Sequence, residues 1–303
     1  MIAHLSLRIV ASIFTMATVL APTHPQARPA AAASAAIQMR HISIVTMGGG
    51  KPVVLIPGLS SPRAVWDDVA PTLAQTRRVI LVQINGFAGD DPRGNLAAGV
   101  LDGVIADLHD YLTREKLTGA AIVGHSLGGL IAMKLAILHP ADAGRLMIVD
   151  SLPFYGRLFG PTMTPAMLEP RAAAMRDAIK GRYGQAADVA GAEAVADQMA
   201  LKPESRAKVK AYAVASDPRV TAQAMYEDLT VDLTPQLSRI GVPVTVVVPY
   251  HNALPQAQVD ALYRSAYTGT PDLSMVEIGD AAHFVMLDQP QRFAAAMTVF
   301  LAK

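Results

Sequence analysis

The sequence of 303 residues contains no cysteine. Disulfide bonds, thiolate metal sites and cysteine nucleophiles are therefore excluded. Charge is also scarce, because Asp, Glu, Lys and Arg make up 17% of the residues and the net charge is +1. Since the sequence has no basic block either, we expect no binding of nucleic acid. Hydrophobic residues make up 51%, and the length of 303 residues is enough for one large α/β domain with a sizeable core or for two small domains.

The first 35 residues have the composition of a secretory signal peptide. Arg8 supplies the positive charge, and residues 9–21 form an almost unbroken apolar run. This run is shorter than the roughly 20 residues that a membrane-spanning helix needs. Small residues follow it, so we expect cleavage between Ala27 and Ala36. The prediction is a periplasmic or secreted protein without stable membrane insertion after cleavage; an uncleaved N-terminal anchor is the alternative.

Beyond the leader, short apolar runs typical of buried strands alternate with segments of helical periodicity. Predicted strands cover 42–45, 52–56, 78–84, 119–123, 145–150, 242–248 and 273–278, and predicted helices cover 96–114, 130–138, 256–267 and 290–301. This alternation predicts an α/β fold, in which a mostly parallel central sheet carries helices on both faces. The loops after parallel strands open at one edge of the sheet, where such folds bind ligands. Glycines at 48–50 predict a hairpin turn.

Residues 151–235 interrupt the alternation, because no strand-like run occurs there. Methionine, alanine and charged residues recur at helical spacing between prolines and glycines. We predict a helical cap inserted over the sheet edge, within one domain that covers residues 36–303. The methionines of this cap can line an adaptable apolar pocket or pack the cap against itself.

The segment Gly124-His125-Ser126-Leu127-Gly128 stands between a predicted strand and a predicted helix. Glycines are required at so sharp a turn, because a Cβ at either position would collide with the adjoining strand or helix. The turn lifts Ser126 Oγ out of the sheet, and the following helix presents free backbone N–H groups beside it. Both features suit a serine nucleophile. A Gly-rich turn without catalytic function is the alternative.

His283 follows the last predicted strand and therefore lies at the same sheet edge as Ser126. An imidazole at that edge can accept the proton of the serine hydroxyl. With these residues in place, the chain from about Ile42 onward resembles the capped, single-domain form of the α/β-hydrolase superfamily. The resemblance is carried by residues 56–59, by residues 124–129, and by His283-Phe284 ahead of Asp288-Gln289-Pro290.

The resemblance also implies an oxyanion hole and a substrate wall. The oxyanion hole would consist of the backbone N–H groups of Leu59 and Leu127. Phe87, His125 and Phe284 are expected to contact the substrate, although packing against the neighbouring strand suits His125 equally well.

The acid of the implied triad departs from its usual position in the family. The family usually carries it after the strand that corresponds to residues 242–248, but residues 249–253 contain no carboxylate. Some members carry the acid one strand earlier, where this sequence has Asp150. Asp150 is therefore the predicted partner of His283. The alternatives are a purely structural Asp150 and an orienting amide from Asn252.

Taken together, the resemblance implies a serine hydrolase that cleaves a carboxylic ester through an acyl-enzyme. Ser126 would attack, His283 would act as base and then acid, and Asp150 would orient the imidazole. No metal and no organic cofactor are implied. The expected partner is a small, uncharged ester, and the sequence favours no particular oligomeric state. The alternatives are hydrolysis of an amide, lactone or carbon–carbon bond, perhydrolysis, and non-catalytic binding of a small molecule.

Overall fold

The computed structural model describes residues 33–302. The predicted signal peptide lies outside these residues except at its C-terminal end. Within residues 33–302, no helix has both the length and the apolar character needed to cross a membrane.

The described residues form one mixed sheet. Its strands are β1 (Ile37–Gln38), β2 (Ile42–Gly48), β3 (Pro52–Ile56), β4 (Arg78–Ile84), β5 (Ala120–His125), β6 (Ala143–Val149), β7 (Val244–Tyr250) and β8 (Leu273–Gly279). They lie in the order β1-β2-β4-β3-β5-β6-β7-β8. Strand β2 is antiparallel to both of its neighbours, and the strands from β4 to β8 are parallel to one another. The predicted fold class is confirmed.

Helices cover both faces of the sheet. They are α1 (Ala70–Leu73), α2 (Val100–Arg114), α3 (Leu127–Leu138), α4 (Pro165–Lys180), α5 (Val189–Met199), α6 (Pro203–Ala215), α7 (Pro218–Thr230), α8 (Gln256–Ala266), α9 (Val285–Asp288) and α10 (Pro290–Ala302). Alternate residues of β3 enter two separate cores, because successive side chains of a strand point to opposite faces. Val54 and Ile56 pack in the core that contains α2 and α3, whereas Val53 and Leu55 pack in the core that contains α10.

The predicted hairpin at residues 48–50 is wrong. Strand β2 does not pair with β3, because β4 lies between them and pairs with both. The three glycines lie where the chain reverses direction, but the reversal crosses one end of β4, so that β2 and β3 are not neighbours.

The region 151–235 of the described chain contains helices α4–α7 and no strand. Three of the prolines that interrupt its periodicity, Pro165, Pro203 and Pro218, are first residues of helices. Proline suits that position, because its missing N–H would have no partner in the first turn. Helix α4 packs on α7, and α5 packs on α6. These four helices, called the cap helices below, lie in the chain between β6 and β7.

Candidate active site

Ser126 occupies a strained turn between β5 and α3, with φ 53° and ψ −122°. The backbone there is so close that a Cβ on Gly124 would lie 2.1 Å from the carbonyl oxygen of Gly128. The Ser126 N–H donates to the carbonyl of Val149 at 3.0 Å, which ties the turn to the end of β6. Positive φ at a residue other than glycine costs about 1–3 kcal/mol, and such strain concentrates at functional sites.

Asp150 and His283 meet at this edge of the sheet. Asp150 directly follows β6, and His283 follows β8. The Nδ1–H of the imidazole donates to Asp150 Oδ2 at 2.6 Å, a length typical of a charge-assisted hydrogen bond. The two side chains are 24% and 17% exposed, so solvent screens this pair only in part. Asn252, the alternative orienting residue, is exposed and makes no hydrogen bond to His283.

A tyrosine that the sequence analysis did not single out holds the other carboxylate oxygen. The hydroxyl of Tyr263, on α8, donates to Asp150 Oδ1. Burial first and the neighbouring carboxylate second raise the pKa of Tyr263 well above its usual range, so the hydroxyl stays a donor. Tyr267, one helical turn later, donates to the carbonyl of Ser151 at 2.7 Å. Two tyrosines four residues apart in a predicted helix are the signal that could have identified this support.

His125 supports the loop that carries His283. Its ring is fully buried, and its Nε2–H donates to the backbone carbonyl of His283 at 2.9 Å. Burial, and secondly the charge of His283, hold the pKa of His125 well below its usual range. A neutral imidazole that donates from Nε2 therefore fixes the loop without adding a positive charge to the site.

The predicted oxyanion donors belong to two backbone segments close to the serine. Leu127 is the first residue of α3, where backbone N–H groups have no partner within the helix. Within residues 33–302, neither the N–H of Leu127 nor that of Leu59 donates to another group. The loop that carries Leu59 passes close to the serine, since a Cβ on Gly58 would lie 3.1 Å from Ser126 Cβ. Both N–H groups are thus available to a ligand.

A cavity of about 990 Å³ lies between the sheet edge and the cap helices. Ser126, Asp150, His283, Leu59, His125 and Phe284 all line it. Within residues 33–302, Ser126 Oγ makes no hydrogen bond, and such contacts commonly tighten only when substrate binds. Phe87, a predicted substrate contact, is the exception, because it is fully buried in the core and is absent from the cavity wall.

Asp288 is a further residue whose role the sequence did not reveal. It is fully buried, and its carboxylate accepts from the N–H groups of Ala282, Leu201 and Lys202 at 3.0–3.2 Å. One carboxylate therefore joins the loop before His283 to the segment between cap helices α5 and α6. The sequence shows that Asp288 follows His283 closely, but it does not show that the carboxylate binds N–H groups of the cap.

One cluster has the ligand types of a metal site, but its geometry does not suit one. His109, His139 and Asp142 bring their ligand atoms within 4.8 Å of one another. The two imidazole rings, however, are stacked 3.7 Å apart and nearly parallel, at 15°. A zinc ion would have to lie in the plane of each ring, about 2.0–2.1 Å from a nitrogen. Two stacked planes share no such point, and His109 already bonds to Asp142 at 2.8 Å.

The parallel sheet, the helices inserted after β6 and the serine turn after β5 together define the α/β-hydrolase class of proteins. A sequence model of the alpha/beta hydrolase family matches residues 53–296, and the chain belongs to this family.

Several curated relatives match different shares of the chain. The pimeloyl-[acyl-carrier protein] methyl ester esterase of Edwardsiella ictaluri is 26% identical over 84% of this chain and 95% of its own length. The esterase of the same name from Aeromonas hydrophila is 34% identical over 42% of this chain and 48% of its own length. Polyketide synthase ThaQ of Burkholderia thailandensis is 28% identical over 85% of this chain but only 12% of its own length. The chain thus spans less than half the length of the last two relatives.

Solved structures share the fold across nearly the whole described chain. A thermophilic esterase from Thermogutta terrifontis has a TM-score of 0.73 and 21% identity, covering 89% of this chain and 98% of its own. The enol-lactonase of Burkholderia xenovorans has a TM-score of 0.68 and 21% identity, covering 86% of this chain and 96% of its own. At this level of identity the likeness concerns the fold.

Proposed function

We propose that the chain is a serine hydrolase that cleaves a small carboxylic ester through an acyl-enzyme. The observation that carries this proposal is the 2.6 Å hydrogen bond from His283 to Asp150, in a cavity that Ser126 also lines. Membership of the alpha/beta hydrolase family supports it. A cavity of about 990 Å³ also has the size of a small-molecule site.

In the acylation step, Ser126 Oγ attacks the carbonyl carbon of the ester, and its proton passes to Nε2 of His283. Since Nδ1–H is held by Asp150, Nε2 is the nitrogen with the free lone pair. The carboxylate stabilises the imidazolium that forms. The N–H groups of Leu59 and Leu127 stabilise the oxyanion of the tetrahedral intermediate. The alcohol then leaves with the proton from His283, and the acyl group stays on the serine.

Deacylation repeats this chemistry with water in place of the serine. Water attacks the acyl carbon and gives a proton to His283. The carbon–oxygen bond to Ser126 breaks, and the proton returns to Oγ as the carboxylic acid departs. Every proton movement uses the same nitrogen, so no further acid or base is needed.

The test is hydrolysis of nitrophenyl esters of graded chain length by the parent and by Ser126→Ala. We expect the variant to lose activity by several orders of magnitude, since removing the nucleophile of a triad costs about 10⁶ in a well-studied serine protease. Ser274→Ala, which changes a serine of β8 outside the cavity, serves as the control and should keep full activity.

Labelling by a fluorophosphonate probe separates catalysis from binding alone. Such a probe forms a covalent adduct only with an activated serine, so peptide mass spectrometry should locate it on Ser126. Unlabelled protein with unchanged ester binding would support a non-catalytic binder. Activity of Ser126→Ala within a few-fold of the parent would refute the mechanism.

A further inference from the structure

Asp228 lies on cap helix α7, whose position is fixed at both ends. At its start, the N–H of Asp217 donates to the carbonyl of Gly86 at 2.7 Å. Near its end, the Glu227 carboxylate accepts from the first N–H groups of α2 at 2.7–3.1 Å. The residue beside Glu227 is therefore held in place by the fold, and the orientation of α7 is not free to change locally.

The carboxylate of Asp228 lines the same cavity as Ser126 and His283. Within the described part of the chain, it has neither a hydrogen-bond donor nor an ion-pair partner. The other carboxylates of the cavity wall are partnered: Asp150 by His283 and Tyr263, and Asp188 by Arg182 and the N–H of Gly191. Asp228 alone of these three presents an unsatisfied acceptor to the cavity.

Few other charges act on this carboxylate. The histidine of the proposed triad acts on it from the loop after β8, and Tyr155 lies within electrostatic reach on the turn before α4. Arg171 of α4 also lines the cavity and acts on Tyr155, but its guanidinium stacks on Phe159 at 5.6 Å, and within residues 33–302 it forms no ion pair with Asp228. Helix α2 contributes no residue to the cavity wall among residues 33–302.

The environment makes an ionised Asp228 costly. Although the side chain is only part-buried, its exposed surface opens into a largely apolar cavity. Burial raises its pKa to about 7, against an opposing effect of the His283 charge. A carboxylate without partners in such a place lowers stability, and proteins accept such costs mainly where binding requires the group.

We propose that Asp228 is a specificity-determining residue that binds a protonated amine of the substrate, several bonds away from the ester that is cleaved. This inference rests on the proposed ester hydrolysis and names the substrate class more closely: an amino-substituted ester in place of the uncharged ester expected above. An ammonium group donates hydrogen bonds and also neutralises the carboxylate, whereas a hydroxyl group only donates. The amine therefore recovers more of the cost of burying the charge.

The first experiment compares esters of equal length that differ in one terminal group. The pairs are methyl 6-aminohexanoate with methyl heptanoate, and 5-aminopentyl acetate with hexyl acetate, which place the amine on either side of the ester. We expect kcat/KM at about pH 8 to favour the amine in at least one pair. Asp228→Asn should lower that preference by about 10- to 100-fold, the factor that a hydrogen bond to a charged group contributes.

Two controls define what the result means. The alkyl ester serves as the internal reference in each protein, so the preference is the ratio of kcat/KM for the two esters of a pair and does not depend on the absolute activity of Asp228→Asn. Glu169→Gln removes an exposed negative charge of α4 outside the cavity and should leave the preference unchanged. An equal preference in the parent and Asp228→Asn would overturn the inference, while Ser126-dependent hydrolysis of both esters would leave the proposed function intact.

The second experiment does not depend on catalysis. Because the folded-state pKa of about 7 lies above the usual value, the folded protein binds the extra proton between about pH 4 and pH 7. Its stability therefore falls as the pH rises through this interval and stays lower above it. Asp228→Asn lacks this loss, so we expect its Tm to exceed that of the parent by several degrees at about pH 8, and we expect this difference to shrink steadily toward about pH 4.

Hexylamine and hexanol then probe the carboxylate directly at about pH 8. The amine should raise the Tm of the parent more than hexanol does, because only the amine neutralises Asp228. In Asp228→Asn this difference should vanish. A lower Tm for the variant at about pH 8, or equal effects of amine and alcohol on the parent, would show a structural carboxylate and refute the inference even if no ester were hydrolysed.

Discussion

Replacing Asp150 by asparagine tests the contact that orients the proposed catalytic base. The two side chains have almost the same shape, but the amide has one acceptor, one donor group and no charge. In the parent, one carboxylate oxygen accepts from His283 Nδ1–H at 2.6 Å, and the other accepts from the hydroxyl of Tyr263. The amide of the asparagine can therefore face His283 with its oxygen or with its NH₂ group, and the two orientations lower activity by different factors.

If the amide oxygen faces His283, the imidazole keeps its tautomer and only the negative charge is lost. A hydrogen bond to a charged group is worth about 1.5–3 kcal/mol, so the imidazolium would be less stable by a factor of about 10–100. If the amide NH₂ faces His283 instead, Nδ1 becomes an acceptor and Nε2 carries the proton. The base cannot then accept a proton from Ser126, and the loss approaches about 10⁴, as in a well-studied triad. We expect a loss between about 10 and 10⁴, according to which orientation dominates.

The assay is kcat/KM on the best nitrophenyl ester, together with Tm for the same preparations. The Tm of Asp150→Asn should change little, because shape and one acceptor are kept. Asn252→Ala is the matched control, since Asn252 is exposed and makes no hydrogen bond to His283; its activity should stay within a few-fold of the parent. Nearly full activity for Asp150→Asn, with a lower Tm, would show that the aspartate is structural. A large loss of activity for Asn252→Ala would contradict the assignment of Asp150 as the residue that orients His283.

Two further predictions concern residues outside the proposed triad. Asp288→Ala should lower the free energy of unfolding by about 2–4 kcal/mol in urea titrations, because it leaves the buried N–H groups of Ala282, Leu201 and Lys202 without their acceptor; an unchanged midpoint would mean that water replaces the carboxylate. The apolar run at residues 9–21 and the small residues after it predict a mature N-terminus between Ala27 and Ala36, which mass spectrometry of protein from the native host would detect. An intact Met1 on membrane-bound protein would favour the anchor.

Local sequence patterns predicted the buried strands closely. The strands expected at 52–56 and 78–84 coincide with β3 and β4, because apolar β-branched runs there are bounded by charged, glycine or turn residues. The helix expected from residue 96 begins at Val100 instead. Gly99 has φ 87°, and the carboxylate of Glu227, on cap helix α7, accepts from the N–H groups at the start of the helix. That contact joins distant parts of the chain, so no local pattern contains it.

The proposed catalytic residues were predictable because they follow strand ends. Parallel strands bring their carboxyl ends to one edge, so the positions of Ser126, Asp150 and His283 along the chain were enough to place their backbones together. Tyr263 and Asp228 lie on helices whose rotation about their own axes decides which side chains reach the site. That rotation depends on packing between whole elements, and the sequence showed only that both residues belong to helical segments.

Phe87 shows that the position of a backbone at a strand end does not determine where its side chain points. It follows β4 at the edge where the site forms, so its backbone lies where the sequence analysis expected it. Its N–H donates to the carbonyl of Ile84 at 3.1 Å, and its own carbonyl accepts from the side-chain amide of Gln83 at 3.1 Å. These two bonds hold a tight turn in which the ring is fully buried in the core. A strand end thus determines where a residue stands, whereas the hydrogen bonds of the following turn determine whether its side chain reaches the ligand.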